Sequence, residues 1–315
     1  MVVHFFYDII HFDSKFFITA KDLIFRPGFL SKEYMVGRRS SYLHPVKMYV
    51  FTSAVFFLFF FSFFNTESEV KESSNLPLTA EKRADILEGM EEILRENPAD
   101  SFIREKIRLF RDTSKVLYRR DIPGGGFFLS FTGTSFSSYE SYDSMQRSLP
   151  AKERDGWFRR RIIKKDIELK NRLMENPEAV LTQIADSVLH RMPYMLFVSL
   201  PLFALILKLV YIRRKQFYYV DHGIFTIHLY IFSFVVLLVV FAMNGLQKWT
   251  GLSVFGWLIF LLFIGLLFYL YKGMRNFYGQ RRGKTFVKFI LVTFFSLLMM
   301  LVLFAIFMFL SAFTL

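Results

Sequence analysis

Cysteine is absent from the 315 residues, which excludes disulfide bridges and thiolate metal sites outright. A chain without thiols is indifferent to redox poise, so the absence says nothing about compartment. Catalytic signatures are missing as well. No Gly-x-Ser-x-Gly elbow and no His-Glu-x-x-His zinc helix occurs. The run Gly124–Gly126 lacks the Lys-Ser/Thr pair and the preceding strand of a phosphate loop, and reads as flexible chain. No basic segment precedes the first apolar residues, which His4 and Asp8 interrupt, so a cleavable signal peptide is not expected there. Carboxylates are outnumbered: 27 Asp and Glu face 40 Lys and Arg, a formal net charge of +13. In a soluble chain that excess would suggest nucleic acid. Beside long apolar blocks it is better explained by loop cations that set membrane topology, and no nucleic-acid partner is expected.

Apolar side chains are plentiful: 53% of residues are hydrophobic and Phe alone supplies 42. They gather in uninterrupted blocks, the signature of membrane spans. A block of about 18 apolar residues can cross the hydrocarbon as a helix, which satisfies its own backbone groups. Five blocks qualify, at residues 46–64, 193–212, 224–243, 252–271 and 286–315. The last is longer than a span needs and is expected to tilt or emerge.

Short basic loops give the direction of threading, because Lys and Arg stay on the cytoplasmic side. Lys15, Lys21, Arg26, Lys32, Arg38, Arg39 and Lys47 precede the first block or lie at its edge. Arg213, Arg214 and Lys215 separate the second from the third. Lys272, Arg275, Arg281, Arg282 and Lys284 lie between the fourth and fifth. Only Lys248 marks the loop between the third and fourth. Five spans put all the basic segments on one side, with a cytoplasmic N-terminus and an extracytoplasmic C-terminus.

Residues 65–192 then fall outside. They carry 22 Lys and Arg and 22 Asp and Glu, and segments this long cross largely regardless of charge. Ile86, Met90, Ile93 and Leu94 recur at helical spacing after Thr79, a plausible N-cap. The Gly- and Ser-rich stretch 124–141 predicts the least regular part. A charged helix is predicted over 151–175, broken at Asn176-Pro177. Within it the basic run Arg159–Lys165 reads as a solvated helix face. The fold class expected is therefore an all-α membrane protein, with about five transmembrane helices and a helical extramembrane domain between the first two.

Residues 1–45 complete the expectation. In "SKFFITAKDLIF", Phe16, Phe17, Ala20, Leu23 and Ile24 fall on one helical face, with Lys15, Thr19 and Asp22 on the other. "RPG", Arg26–Gly28, turns the chain, and a short helix follows, closed by Gly37 as a C′ residue. The pattern predicts an amphipathic helical hairpin on the cytoplasmic membrane face, compatible with packing beneath the bundle.

Two long blocks carry a resemblance. "KDLIFRPGFLSKEYMVGRRSSYLHPVKMYVF" and "MPYMLFVSLPLFALILKLVYIRRKQFYYVDHGIFTIHLYIF" resemble, in this order, the domain-of-unknown-function 3667 family of bacterial polytopic membrane proteins. Many members carry a Cys-rich zinc ribbon ahead of the first block. This sequence has no cysteine to build one, so no zinc role carries over. The resemblance implies architecture rather than activity, and a bacterial inner-membrane location. It also implies that Tyr219, Asp221, His222 and His228 match family positions, and that Arg26, Pro27 and Gly28 match the family turn.

Those residues are the candidates for chemistry. Asp221 and His228 share a helical face but stand about 10 Å apart along the axis. His222 and His228, six residues apart, point away from each other. A metal pair on one helix wants i and i+4, so a metal at His222 or His228 would need ligands from elsewhere, with His44 the nearest supplement. His4 and His11 lie on the amphipathic segment. Asp221 sits where an N-cap belongs, facing the free amides of the third span. His228 lies about a turn inside the apolar run, where an ionisable group faces protein. An Asp and a His near hydrocarbon are costly unless paired. Arg26 or His44 is therefore expected within hydrogen-bond reach of Asp221, His222 or His228, which would anchor the hairpin to the bundle.

Membrane centres almost free of charge speak against ion-coupled transport. A non-catalytic assembly, sensory or scaffolding role is the expectation. A transporter or membrane enzyme with a metal, proton or small-ligand site at the cytoplasmic edge is the alternative. No cofactor is evident, and the lipid bilayer is the one partner the composition names.

Overall fold

The structure, a computed structural model, describes residues 14–63, 75–96, 101–122 and 139–314. Among them stand eleven α-helices and no strand. Helices α1 (Ser14–Phe25) and α2 (Phe29–Met35) form the hairpin, and α3 (Pro45–Phe63) follows. Four helices come next: α4 (Ala80–Glu96), α5 (Ser101–Arg111), α6 (Tyr139–Ser148) and α7 (Trp157–Glu175). Four long ones close the order: α8 (Pro177–Val210), α9 (Tyr219–Thr250), α10 (Val254–Tyr278) and α11 (Arg282–Thr314). Five helices are long and apolar enough to cross a membrane: α3, α8 from Glu178, α9, α10 and α11. The chain is an all-α membrane protein. It divides into two units, Met1–Phe64 with Met192–Ala305, and Asn65–Arg191 with Ile306–Leu315.

In the first unit α9 is the hub, packed against α1, α2, α3 and α10. One face of α3 is buried, Met48, Thr52, Phe56 and Phe60 recurring every fourth residue. Its rings meet α9: Phe56 lies 5.0 Å from Phe234 and 5.7 Å from Phe241, and Tyr49 lies 5.8 Å from Phe234. Lipid tails are as apolar as these rings, so close ring packing rather than transfer from water holds the pair. Each such contact is worth about 0.5–1.5 kcal/mol. Polar contacts fasten the neighbours. The Ser199 and Tyr230 hydroxyls bond at 2.8 Å between α8 and α9, and Phe232 stacks on Tyr269 of α10. Many large apolar side chains of α10 and α11 stay exposed, Phe260, Leu261, Phe294 and Leu301 among them, as lipid-facing surfaces do.

In the second unit Met90 of α4 packs with Ile103, Ile107 and Phe110 of α5, over Leu117 and Ile122. Arg83 caps the far end of α5. Its guanidinium donates to the carbonyl of Phe110 (2.8 Å), which the helix end leaves free, and to those of Asp112 (2.5 Å) and Lys115 (3.1 Å) in the turn beyond it. Tyr142, Ile163 and Ile167 join α6 to α7. The Tyr142 hydroxyl donates to Asp155 at 2.9 Å, and burial together with that carboxylate pushes its pKa up to about 12. Helix α7 starts at Trp157, six residues later than its charge pattern predicts. The Asp155 amide is already committed to Gln146 Oε1, and its carboxylate to Gln146 and Tyr142, so the helix begins beyond them.

The basic run on α7 is an ion-paired face. Arg159 pairs with Asp155 at 3.2 Å, Lys164 with Asp143 at 3.0 Å, and Lys165 with Glu168 at 2.9 Å. Lys164 holds the Asp143 carboxyl below its usual range, and Lys165 does the same for Glu168. Of the Gly- and Ser-rich stretch, residues up to 138 lie outside the described residues, and Tyr139–Ser141 open α6. His4 and His11 also lie outside them.

Candidate functional site

The site grows from the turn between α1 and α2. Helix α1 ends at Phe25, the Arg26 amide still bonding Asp22 O at 3.0 Å. Gly28 then takes φ +77°, a left-handed conformation that glycine adopts without penalty, and its backbone rests on α10. A Cβ on Gly28 would stand 2.5 Å from the Gly273 carbonyl oxygen. Two neighbouring donors on α10 reach the same turn. Asn276 Nδ2 donates to Pro27 O at 2.9 Å, and the Tyr269 hydroxyl donates to Leu23 O at 2.6 Å. Tyr269, Gly273 and Asn276 follow i, i+4, i+7 spacing, one face of α10 turned to the hairpin. Helix α2 completes the dock: Ser31 Oγ and His228 Nδ1 bond at 2.9 Å, both residues buried.

Helix α1 buries residues from both of its faces, Leu23 from the apolar one together with polar side chains from the other. Thr19 and Asp22 are buried, while Phe17, Ile24 and Phe25 are exposed. The Thr19 hydroxyl donates to Lys15 O and accepts from the Leu43 amide at 3.1 Å. Asp22 pairs with Arg26 at 3.3 Å and lies 3.5 Å from the Tyr42 hydroxyl. Polar groups are used inside the protein, and the apolar edge is left for lipid.

His222 is 1% exposed, its Nδ1 2.6 Å from the Tyr278 hydroxyl. The rings of Phe217 and Tyr211 flank it, and Tyr211 stacks on Tyr278 at 3.5 Å. Asp221 is not the N-cap. Tyr218 holds that place, and Asp221, three residues on, accepts from the Tyr218 amide at 2.7 Å. A carboxylate reaching back over the first turn satisfies a free donor and opposes the helix dipole. Tyr219 donates to Pro201 O at 2.9 Å, with the Lys208 ammonium 6.0 Å from its ring.

Of the predicted partners, neither Arg26 nor His44 bonds to the cluster. Arg26 pairs with Asp22 one turn back and lies over the Phe29 ring at 5.3 Å. His44 is exposed, edge-on to Tyr34 at 6.3 Å. The anchoring expectation is therefore corrected in its atoms: the hairpin is tied by Ser31 and by carbonyls at Leu23 and Pro27. The physical reason is local. Asp22 meets the Arg26 charge one turn on, just past the end of its own helix, and Asp221 is consumed at the start of α9. His222 and His228 serve different helices, and among the described residues no three His, Asp or Glu side chains gather as a metal group would. Sequence reasoning missed Ser31, Tyr269, Gly273, Asn276 and Tyr278. The only signal for the four on α10 was a glycine and three polar tips recurring along the end of an apolar helix, and Ser31 on α2 carried none.

The family model described as Protein of unknown function (DUF3667) matches residues 13–57. That match covers the hairpin, its turn and most of α3. The second resembling block, with Tyr219, Asp221, His222 and His228, lies outside it. No curated protein and no solved structure matches the chain.

Proposed function

With residues 13–57 carrying the DUF3667 signature, we propose that the protein is a non-catalytic assembly or scaffolding component of the bacterial inner membrane. Its N-terminal hairpin is a fixed ledge on the bundle, presenting Phe17, Ile24 and Phe25 to the headgroup layer. One observation carries this reading: the buried polar side chains that meet the hairpin are spent on holding it to the spans. His228 meets Ser31, and Tyr269 and Asn276 meet the turn. A second reading, a proton or small-ligand site at the cytoplasmic edge, is favoured by the buried His222–Tyr278 pair beside Tyr211.

One experiment separates the two. Asn places an amide atom near the position of imidazole Nδ1, so His222→Asn and His228→Asn preserve the bonds and remove the ring chemistry. Under the scaffolding reading, a deletion strain is complemented by both variants to the extent that folded protein accumulates, and purified protein holds no metal in stoichiometric amount. Folded variants that fail to complement, or stoichiometric metal lost with them, would favour the ligand-site reading instead.

The threading inferred from the basic loops belongs to the same proposal. The N-terminus is cytoplasmic, residues 65–192 extracytoplasmic and the C-terminus extracytoplasmic. Reporter fusions at Ser73 and Arg281 are expected to score periplasmic and cytoplasmic respectively. The same score at both removes this topology.

A further inference from the structure

Lys288 occupies an unusual place on α11. Its ammonium stands 3.7 Å from the centroid of the Tyr211 ring, closer than any other cation–ring contact among the described residues. Tyr211 is itself 1% exposed and stacked on Tyr278, and its buried hydroxyl has no hydrogen-bond partner among the described residues. Such an orphan in a protein interior is costly and calls for an explanation. The charge around it is one-sided. Arg213, Arg214 and Lys284 all bear electrostatically on Lys288, and Arg214 bears on Tyr211 as well. Lys284 and Lys288 stand four apart on one helix, a repelling arrangement.

Among the described residues no carboxylate forms an ion pair with these cations. Outside residues 65–192 the chain has 18 Lys and Arg against 5 Asp and Glu. Three of those five are described: Asp22 pairs with Arg26, Glu33 with Arg38, and Asp221 is bonded to the Tyr218 amide. None of Arg213, Arg214, Lys284 and Lys288 has an ion pair among the described residues, and Arg214 and Lys288 are only half exposed. Topology needs cations in the loop, where each keeps its own water. It does not need two of them half-buried beside Tyr211, whose hydroxyl has no partner among the described residues.

We propose that Arg213, Arg214, Lys284 and Lys288, with the Tyr211 hydroxyl, form a binding site for a phosphate group, supplied by an anionic lipid headgroup or by a soluble phosphate. A phosphate brings the acceptor oxygens that the guanidinium, the ammoniums and the phenol all lack. Its charge also relieves their mutual repulsion. The place, where α8 ends and α11 begins, is at headgroup depth, within reach of either source.

The test uses the full chain, purified in neutral detergent and reconstituted in phosphatidylcholine nanodiscs. Three probes are added in separate arms: phosphatidylglycerol in the bilayer, inorganic phosphate, and glycerol phosphate. Thermal midpoint and bound lipid by native mass spectrometry are read in each. Wild type is expected to gain stability in at least one arm. Arg214→Gln and Lys288→Met, the latter keeping the stem against the Tyr211 ring, are each expected to weaken that binding about tenfold. A gain confined to phosphatidylglycerol identifies the lipid, whereas a gain with inorganic or glycerol phosphate identifies a soluble source. Lys32→Gln, an equal charge loss on α2, is expected to leave binding unchanged. Should Lys288→Met fail to fold, Arg213→Gln with Lys284→Gln, both at exposed positions, takes its place. No gain in any arm, or equal losses in cluster and control variants, overturns the site.

Discussion

Gly28→Ala is expected to undock the N-terminal hairpin and to lower the unfolding midpoint more than any other single methyl added to the first unit. Two costs coincide. Gly28 sits at φ +77°, where a Cβ meets the adjoining carbonyl at about 1–2 kcal/mol. The added carbon also lands 2.5 Å from the Gly273 carbonyl oxygen and 3.1 Å from its Cα. Those are backbone atoms of α10, which cannot retreat without straining their own hydrogen-bond ladder, so the hairpin must move. With it go the bonds from Asn276 to Pro27 and from Tyr269 to Leu23. A combined loss above about 3 kcal/mol follows, in the range reserved for named steric failures. Gly273→Ala is the internal control. Its Cβ would meet the Phe225 ring at 3.5 Å and the Gly28 amide nitrogen at 3.7 Å, ordinary contacts. That variant is expected within about 1 kcal/mol of wild type, since Ala also favours the helix. Thermal unfolding in mild detergent, with amide exchange at Leu23 and Leu30, reads both. Equal midpoints and equal protection in the two variants would mean that the turn does not rest on α10.

How much of this was legible beforehand follows from the range of each interaction. Apolar blocks, the Arg26–Gly28 turn and the Gly37 stop are local patterns, and the last appears as φ +92° just beyond α2. The amphipathic pattern of α1 turns Phe17 and Ile24 outward, as a hairpin on a membrane face requires, but gives no sign that Thr19 and Asp22 are buried. Their partners Leu43 and Tyr42 lie 24 and 20 residues further along the chain. Helix spacing did show that His222 and His228 point apart, and they do serve different partners. Their identities lie 56 and 197 residues away along the chain, at Tyr278 and Ser31, where no local pattern reaches. Charge pairing misled at Arg26 for the opposite reason. A partner four residues back, in the last turn of the preceding helix, costs almost no chain entropy, and Asp22 was already there.

The Ser31–His228 bond gives the second large effect. His228→Ala is expected to lower stability by about 3–4 kcal/mol, because it opens a cavity and strands the Ser31 hydroxyl, 2% exposed, without a partner. Ser31→Ala strands the imidazole nitrogen instead and is expected to cost about 1–3 kcal/mol. The informative variant removes both polar groups at once. With Ser31→Ala, His228→Phe replaces the ring by an apolar one, and His228→Leu run in parallel guards against overpacking. Either double variant leaves nothing unsatisfied at this contact and is expected to recover most of the stability that the single variants lose. A double-mutant cycle over Ser31→Ala and His228→Phe should therefore give a coupling of about 1–2 kcal/mol. A coupling below about 0.5 kcal/mol, the limit for independent sites, would deny that these residues meet. The same double variant also separates holding from chemistry. If His228 serves only to tie α2 to α9, protein carrying both substitutions is folded and complements the deletion. If the imidazole handles a proton or ligand, the protein folds as well but fails to complement, and the scaffolding reading fails with it.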